Sequence, residues 1–414
     1  MVTVIIPTRN RADGLRAALA SVYGQEGAGT ELELDVIVVD DASTDRTGET
    51  VHQYPAIRYI RLDTNRGASA ARNVGIKAGR GGYVAFLDDD DVWLPRKLER
   101  QVAALQAHPD AGIAYSPYVI RFPDRRELLS VGDDAPTGSI FRSLLLGNHC
   151  GSPIGAIIRR DALEAIGYFD ESVSTAEDYD LWLRLAFRFP FVFVPGPVAV
   201  HPRTLQGKYS VHLTRGNPGC STRYLVERAV LERALALLPD TVQDSRIKQE
   251  ARAHLEIRIT CALGDIGEFR LMQAQLLAAL RRFPGLLQYG WARTGVSQMA
   301  RRVAMRSASP LAATQAFCDT LTPLTGHRGI TGWVRRKRTF GRVWADLAGA
   351  LLARSRYSEA GRAAVRAVLL NPGLLPRKDM LRILTHGFLG SALQRLGLRP
   401  FRRGPDPGAL RDPR

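Results

Sequence analysis

Four carboxylates stand side by side at Asp88-Asp89-Asp90-Asp91, between the apolar pairs Phe86-Leu87 and Val92-Trp93. Adjacent carboxylates repel, so a cation must compensate them wherever they are even partly buried. Oxygen donors of this kind suit Mg2+ or Mn2+, ions that also hold substrate phosphates. A solvated acidic loop capping the helix that starts near Leu94 is the plainer alternative. A second acidic stretch, Asp40-Asp41-Ala42-Ser43-Thr44-Asp45, has the groups to hydrogen-bond a nucleotide base or ribose, although Asp and Ser are also ordinary helix caps. Asn65-Arg66-Gly67 through Arg72-Asn73 reads as a helix start made of small residues between two arginines. A helix N-terminus and guanidinium groups both suit a diphosphate. Glu177-Asp178-Tyr179-Asp180 opens an amphipathic segment. Acidic residues are favoured there by the helix dipole, and a carboxylate in an enclosed site can also take the proton of an attacking hydroxyl. The sequence contains neither a Walker lysine pattern nor GxGxxG, which excludes a P-loop and a dinucleotide fingerprint.

These residues lie at the ends of strand and helix signals. Val2–Ile6, Val36–Val39, Ile57–Leu62 and Tyr83–Leu87 are runs typical of buried strands, separated by helical patterns around Leu15–Val22, Gly67–Ala78 and Leu94–Ala107. Strands alternating with helices imply an α/β domain with a parallel sheet, in which ligands sit beyond the carboxyl ends of the strands. Those ends carry Thr8-Arg9-Asn10, Asp40-Asp41 and Asp88 to Asp91. Further on, Ile154–Ile158 and Phe191–Val194 read as strands and Tyr179–Phe189 as a helix. Beyond residue 222 the signals are almost all helical, at Tyr224–Leu238, Ile247–Leu263, Leu271–Arg282, Trp344–Ala353 and Glu359–Leu370.

The chain has 414 residues, of which 45% are hydrophobic and 24% charged, a composition that excludes a largely disordered protein. It has no run of 18 apolar residues, so a transmembrane helix is not expected. The first residues, Met1 to Pro7, resemble no signal peptide. Its four widely spaced cysteines form no CxxC pair, which excludes a disulfide scaffold and a cysteine-rich zinc module. Reduced thiols point to the cytoplasm. The net charge of +16 is uneven: residues 221–414 hold 33 Lys/Arg against 14 Asp/Glu, and residues 1–220 hold 24 against 27. The expected division is an α/β domain at 1–220, a basic helical domain at 221–399, and a Pro-, Gly- and Arg-rich tail at 400–414 expected to be disordered. Trp344, Leu347, Ala348, Leu351, Tyr357, Ala360, Ala367 and Pro372 follow the pattern of a tetratricopeptide hairpin. Leu263, Phe269, Ala279 and Pro284 echo it 88 residues earlier. A plain helical bundle is the alternative.

Taken in order, Pro7-Thr8-Arg9-Asn10, Val39 to Asp45, Asn65-Arg66-Gly67 with Ala71-Arg72-Asn73, Leu87 to Asp91 with Trp93 and Pro95, and Glu177-Asp178 with Leu181-Trp182 resemble the family 2 glycosyltransferases over residues 1–215. The resemblance implies a GT-A fold, Rossmann-like, of the nucleotide-diphospho-sugar transferases. It also implies a nucleotide-sugar donor, most often a UDP-sugar with GDP or dTDP as alternatives, and inversion at the anomeric carbon. Carried onto this sequence, Thr8 and Asp41 would face the base and ribose. Arg9, Arg66 and Arg72 would lie near the donor, as would Asp88 or Asp89 at the ribose. Asp90 would be the direct ligand of a divalent metal, Mg2+ or Mn2+, with Asp88 at the other end of the DxD motif. Asp178 would be the general base, with Glu177 as its close alternative. The family often carries a His or Arg after the last strand, and His201, Arg203 and His212 all compete for that place.

The expected function is therefore transfer of a sugar to a glycan or lipid-linked acceptor in cell-surface polysaccharide or glycolipid synthesis. The basic half would rest on an anionic membrane surface, peripheral at the inner face. A metal-dependent nucleotidyltransferase would need a glycine-rich, lysine-containing loop near the first strand, and Pro7-Thr8-Arg9-Asn10 supplies none. A non-catalytic protein binding through its basic half is the third reading. Nucleic acid is not expected as its partner, because helix-turn-helix, zinc and RNA-binding aromatic signatures are all missing.

Overall fold

The sheet is built around Val2–Thr8 (β1), a strand buried along its whole length. A strand covered on both faces carries a near-continuous apolar run instead of an alternating one, which is why Val-Thr-Val-Ile-Ile reads as it does. The computed structural model describes residues 1–29, 32–124, 127–132, 135–202, 219–265, 269–283, 290–305, 307, 309–321, 330–354, 356–371 and 383. The chain divides into two compact units, Met1–Ala251 and Arg252–Arg414.

In the first unit the order is β1, α1 (Ala12–Tyr23), β2 (Leu34–Asp40), α2 (Thr47–His52), β3 (Arg58–Arg61), α3 (Ala68–Ala78), β4 (Tyr83–Phe86), β5 (Val92–Trp93), α4 (Lys97–Ala107), β6 (Ile113–Tyr115), β7 (Val119–Arg121), β8 (Glu127–Leu129), α5 (Phe141–Leu144), β9 (Ala156–Arg159), α6 (Arg160–Ile166), α7 (Glu177–Arg188), β10 (Phe191–Phe193), β11 (Ala199–Pro202) and α8 (Gly219–Leu235). Seven strands form one sheet in the order β10-β6-β9-β4-β1-β2-β3. β1 pairs in parallel with β2 on one side and β4 on the other, so the topology switches direction at β1. The β1–β2 ladder runs through Thr8–Asp40, whereas the β1–β4 ladder ends at Ile5–Phe86. Pro7 has no amide to donate, and beyond it the two strands part. The crevice at such a switch point is where ligands bind in open α/β sheets.

The sheet is mixed where a fully parallel one was expected. β9 runs antiparallel between β4 and β6. Its sequence, Ala-Ile-Ile-Arg, records burial but not direction. A second, four-stranded sheet, β5-β11-β7-β8, lies outside the sequence expectation. Its strands are two to four residues long, too short to show a period. Its effect on the site is large, because the antiparallel pairing of Val200 with Val92 brings β11 alongside the end of the aspartate run.

Helix α1 buries Leu15, Ala18, Leu19 and Val22, one face at helical spacing. Asp35, buried in β2, accepts from Thr3 Oγ1, the Arg58 guanidinium and the Arg80 amide, and so ties together β1, β3 and the turn after α3. Helix α8 falls beyond the boundary at 220 drawn from sequence. Its Arg233 donates to Asp170 and Asp180, both at 2.7 Å, and Arg142 donates to Asp244 at 2.7 Å. These ion pairs hold residues 219–251 to the α/β core.

The second unit is helical: the end of α9 (Val242–Asp265), then α10 (Phe269–Arg282), α11 (Gly290–Met305), α12 (Pro310–Leu321), α13 (Ile330–Ala353) and α14 (Tyr357–Leu370). Trp344, Leu347, Ala348, Leu351, Ala360 and Ala367 share one buried cluster between α13 and α14. Met272, Leu276, Val296, Met299 and Val343 share another. Pro284, Pro372 and the tail 400–414 lie outside the described residues.

Helix α3 packs against β1 through Gly75, where a Cβ would come within 2.5 Å of Ile5 Cγ2. Alanine is favoured over glycine in a helix by about 1 kcal/mol, but overfilling a core costs about 1–3 kcal/mol. Gly75→Ala is therefore expected to lower the urea midpoint of the first unit. A midpoint equal to or above that of the wild type would show that Ile5 gives way freely.

Candidate functional site

The strand ends bring three acidic loops together. β1 ends at Thr8, whose Oγ1 donates to Asp89 Oδ2 at 2.8 Å, and the Arg9 amide approaches the same oxygen at 3.3 Å. The Asp88–Asp91 run is thereby fastened to the neighbouring strand where their ladder has ended. Burial pushes Asp89 up to about 6, against the hydrogen bond from Thr8 and the charge of Arg11.

Each of the other three aspartates has its own partner. Arg11, the residue just before α1, donates to Asp90 and also lies 3.5 Å from Asp89 Oδ1. Burial works against its charge, and Asp90 more than restores it, so its pKa lies above the ordinary arginine range. Arg72, on α3 and 3% exposed, donates to Asp88 at 2.7 Å and to Glu177 at 3.1 Å. Its guanidinium lies 5.4 Å from the centre of the Phe169 ring. Burial opposes its charge, but the carboxylates of Asp88 and Glu177 hold it well above the ordinary range. Asp91 is buried and its Oδ1 lies 2.6 Å from His201 Nδ1. Burial raises Asp91 to about 7 despite the imidazole. His201 is also raised, because Asp91 outweighs its own burial. Among the described residues, buried Asp91 Oδ2 has no hydrogen-bond partner.

Of the three residues competing to follow the last strand, the structure thus brings His201 to the aspartates. Arg203 and His212 lie outside the described residues. The pairing of β5 with β11, which sets the register that brings His201 to Asp91, is invisible in the sequence pattern.

Asp41 sits at the end of β2, buried, and accepts from the Arg66 amide at 2.6 Å and the Gly67 amide at 2.8 Å. The amides ahead of α3, expected from sequence to suit a diphosphate, are satisfied by this carboxylate. The Asn65 side chain, oriented by its partners, donates to Asp41 Oδ2 at 2.6 Å and accepts from Arg9 Nη1 at 2.6 Å. A carboxylate has about four lone-pair sites, so Asp41 keeps acceptor capacity. Arg66 is exposed and pairs with Glu171 at 3.0 Å.

Glu177 and Asp178 begin α7. The helix is anchored by buried Trp182, whose Nε1 donates to Gly151 O at 2.9 Å, and by Tyr179, whose hydroxyl donates to Leu144 O at 2.7 Å. Asp178 is half-buried and accepts from the Tyr179 amide at 2.7 Å. Its charge reaches two buried groups: the Cys150 thiol and the Tyr118 phenol are raised first by burial and further by Asp178, Tyr118 to about 12. Among the described residues four non-glycines adopt positive φ, and three of them border the site: Asn10, Ala42 and Ala176. A left-handed non-glycine costs about 1–2 kcal/mol, and such strain gathers where a loop must aim a functional group.

Arg72 is therefore the hinge of the site, since it joins the aspartate run to the α7 carboxylates. Arg11, Glu171 and Tyr118 are neighbours that sequence reasoning did not single out. Arg11 alone left a trace, as a basic residue immediately after Thr8-Arg9-Asn10.

The donors fit a hard divalent cation. Asp88 and Asp90 are partly exposed carboxylates, and the position beside Asp90 already attracts a positive charge, Arg11. Among the described residues no group of three His, Cys, Asp or Glu side chains is arranged to hold a metal unaided. This agrees with an ion bound by one or two carboxylates plus substrate phosphates. Among the described residues no helix is long and apolar enough to cross a membrane.

Comparison with known proteins agrees with this geometry. The sequence profile described as "Glycosyl transferase family 2" matches residues 3–167. YwdF of Bacillus subtilis, an uncharacterized glycosyltransferase, is 31% identical over 206 residues, covering 47% of this chain and 71% of YwdF. The succinoglycan biosynthesis protein ExoO of Rhizobium meliloti is 42% identical over 108 residues, covering 26% of this chain and 30% of ExoO. Other curated relatives, in Haemophilus influenzae and Rickettsia prowazekii, are matched over 62% and 64% of their length, so the chain spans less than two thirds of them. The crystal structure of S. aureus TarS 1-349 in complex with UDP-GlcNAc matches with a TM-score of 0.53 at 20% identity, covering 78% of this chain and 89% of that one. That likeness is one of fold, and with the mixed sheet it identifies the GT-A architecture, followed here by a helical region. On its sequence and its fold, the chain belongs to glycosyl transferase family 2.

Proposed function

We propose that this chain is an inverting glycosyltransferase that moves a sugar from a nucleotide-diphosphate donor to a hydroxyl of a glycan or lipid-linked acceptor. The observation that carries the reading is the Arg72 bridge, which sets the aspartate run of the donor side against the Glu177-Asp178 pair at the start of α7. The site has a nucleotide-binding half and a proton-accepting half, held in register by one buried guanidinium.

On this reading Thr8, Arg9 and Asp41 line the base and ribose, with Asp88 and Asp89 beyond them and Arg66 at the exposed rim. Asp178 accepts the proton of the acceptor hydroxyl as its oxygen bonds to the anomeric carbon. The bond from that carbon to the diphosphate oxygen breaks on the opposite face, and the electron pair leaves with the nucleoside diphosphate. One displacement inverts the configuration. Glu177, engaged by Arg72, is the close alternative to Asp178. Asp90, with Asp88, would hold Mg2+ or Mn2+, whose charge when bound stabilises the leaving diphosphate.

The UDP-GlcNAc bound to TarS favours a uridine donor, and the name of ExoO favours polysaccharide synthesis. The basic composition after residue 220 supports a place on an anionic membrane face, at about 1 kcal/mol per basic residue near the surface.

Asp178→Asn is expected to lower turnover by roughly 10²–10⁴-fold, the usual range for a general base, with donor affinity preserved. Loss of donor affinity matching the loss of rate would remove Asp178 from this role. Thermal shift with UDP-, GDP- and dTDP-sugars, with and without Mn2+, should show a metal-dependent rise confined to UDP and lost in Asp90→Asn. A rise with GDP or dTDP alone would change the donor class. Pelleting with liposomes should increase with the fraction of anionic lipid; sedimentation independent of lipid charge would remove the membrane from the proposal.

A further inference from the structure

Two arginines neutralise the aspartate run, and they are built differently. The Arg72 side chain is 4% exposed and lies between Asp88 and Glu177, so it cannot leave without stranding buried charge. The Arg11 side chain is 37% exposed and its partner Asp90 is 38% exposed. A pair this open is held weakly and can exchange partners.

The backbone beneath Arg11 is fixed. The Asn10 amide donates to Ser43 Oγ at 2.9 Å, Asn10 Oδ1 accepts from the Thr44 amide at 2.7 Å, and the Ala12 amide approaches Asp45 Oδ2 at 3.3 Å. The Arg11 side chain extends from this fixed backbone onto Asp90.

We propose that Arg11 is a resident counter-ion that closes the Asp90 cation position until a nucleoside diphosphate enters, so that donor and divalent cation bind as a coupled pair. The inference rests on the glycosyltransferase reading above. Without a diphosphate, a divalent ion at Asp90 lacks phosphate ligands and must displace a guanidinium. A diphosphate changes both terms. It brings phosphate oxygens that complete the ion's shell, and it offers Arg11 the bidentate geometry that guanidinium groups favour. Arg11 then leaves Asp90, and its charge moves to the group that must depart. By linkage, the factor by which the nucleotide tightens the cation equals the factor by which the cation tightens the nucleotide.

The test is Mn2+ binding by the full chain, read from the electron paramagnetic resonance signal of free Mn2+, with and without UDP. The wild type should bind Mn2+ weakly alone and about tenfold or more tightly with UDP, within the usual range of coupling between sites. Arg11→Gln should gain roughly two- to fivefold in Mn2+ affinity without nucleotide, the scale of one partly exposed charge pair, and lose the same factor from the UDP effect. Arg11→Lys keeps the charge and should retain most of the coupling, which separates displacement from a folding defect. Arg96→Gln removes the same charge from an exposed residue away from the site, paired with Glu99 at 2.9 Å, and should leave Mn2+ affinity unchanged.

Nucleotide-free affinity in Arg11→Gln equal to the wild type would overturn the proposal, as would an equal gain in Arg96→Gln. A chain that binds no nucleotide while Arg11→Gln still gains Mn2+ affinity would overturn the glycosyltransferase reading and the coupling with it. The closure of Asp90 by Arg11 would then stand alone.

Discussion

Four successive carboxylates cannot sit at the end of a buried strand without positive or hydrogen-bonding partners, and each of the four has found a different one. Asp88 is held by Arg72, Asp89 by Thr8, Asp90 by Arg11 and Asp91 by His201. These partners come from α3, β1, the entry to α1 and β11, so neutralising one acidic run fixes the relative positions of four elements. Burial still raises Asp89 and Asp91 above the ordinary carboxylate range.

The fold supplies this arrangement through a topological switch and a proline. β1 has parallel neighbours on both sides, but only one ladder continues past Pro7. The opening on the other side lets the chain leave the sheet at Asp88 and enter the second sheet as β5. The short second sheet then brings His201 back to Asp91. Asp41 reinforces the crevice by taking the Arg66 and Gly67 amides, which sets the approach to α3 and hence the position of Arg72.

The boundary between the acidic and basic parts of the chain follows composition, whereas the boundary between compact units follows ion pairs. Arg233, beyond residue 220, bridges Asp170 and Asp180, and Asp180 lies on the same helix as Asp178. The first helix of the basic region thereby steadies the helix that carries the proposed base. A change in strand and helix signals along a sequence cannot report such a pairing, because it marks where local structure changes and not where contacts end.

The sequence by itself determined the alternation of elements, the burial of β1, and the five motifs that place Thr8, Asp41, Arg72, the aspartate run and Glu177-Asp178 around one crevice. These are local properties: period, turn residues and the types of residue at strand ends. Tertiary structure decided the direction of β9, the existence of the second sheet, the pairing of His201 with Asp91, and the partners of each carboxylate. Arg72 shows the division most clearly. Its identity beside a helix start was legible as a cation suited to phosphate, but its burial between Asp88 and Glu177 depends on residues 16 and 105 positions away. Coulomb attraction and desolvation act on distance in space, and distance in space across 105 residues is not written in any local pattern.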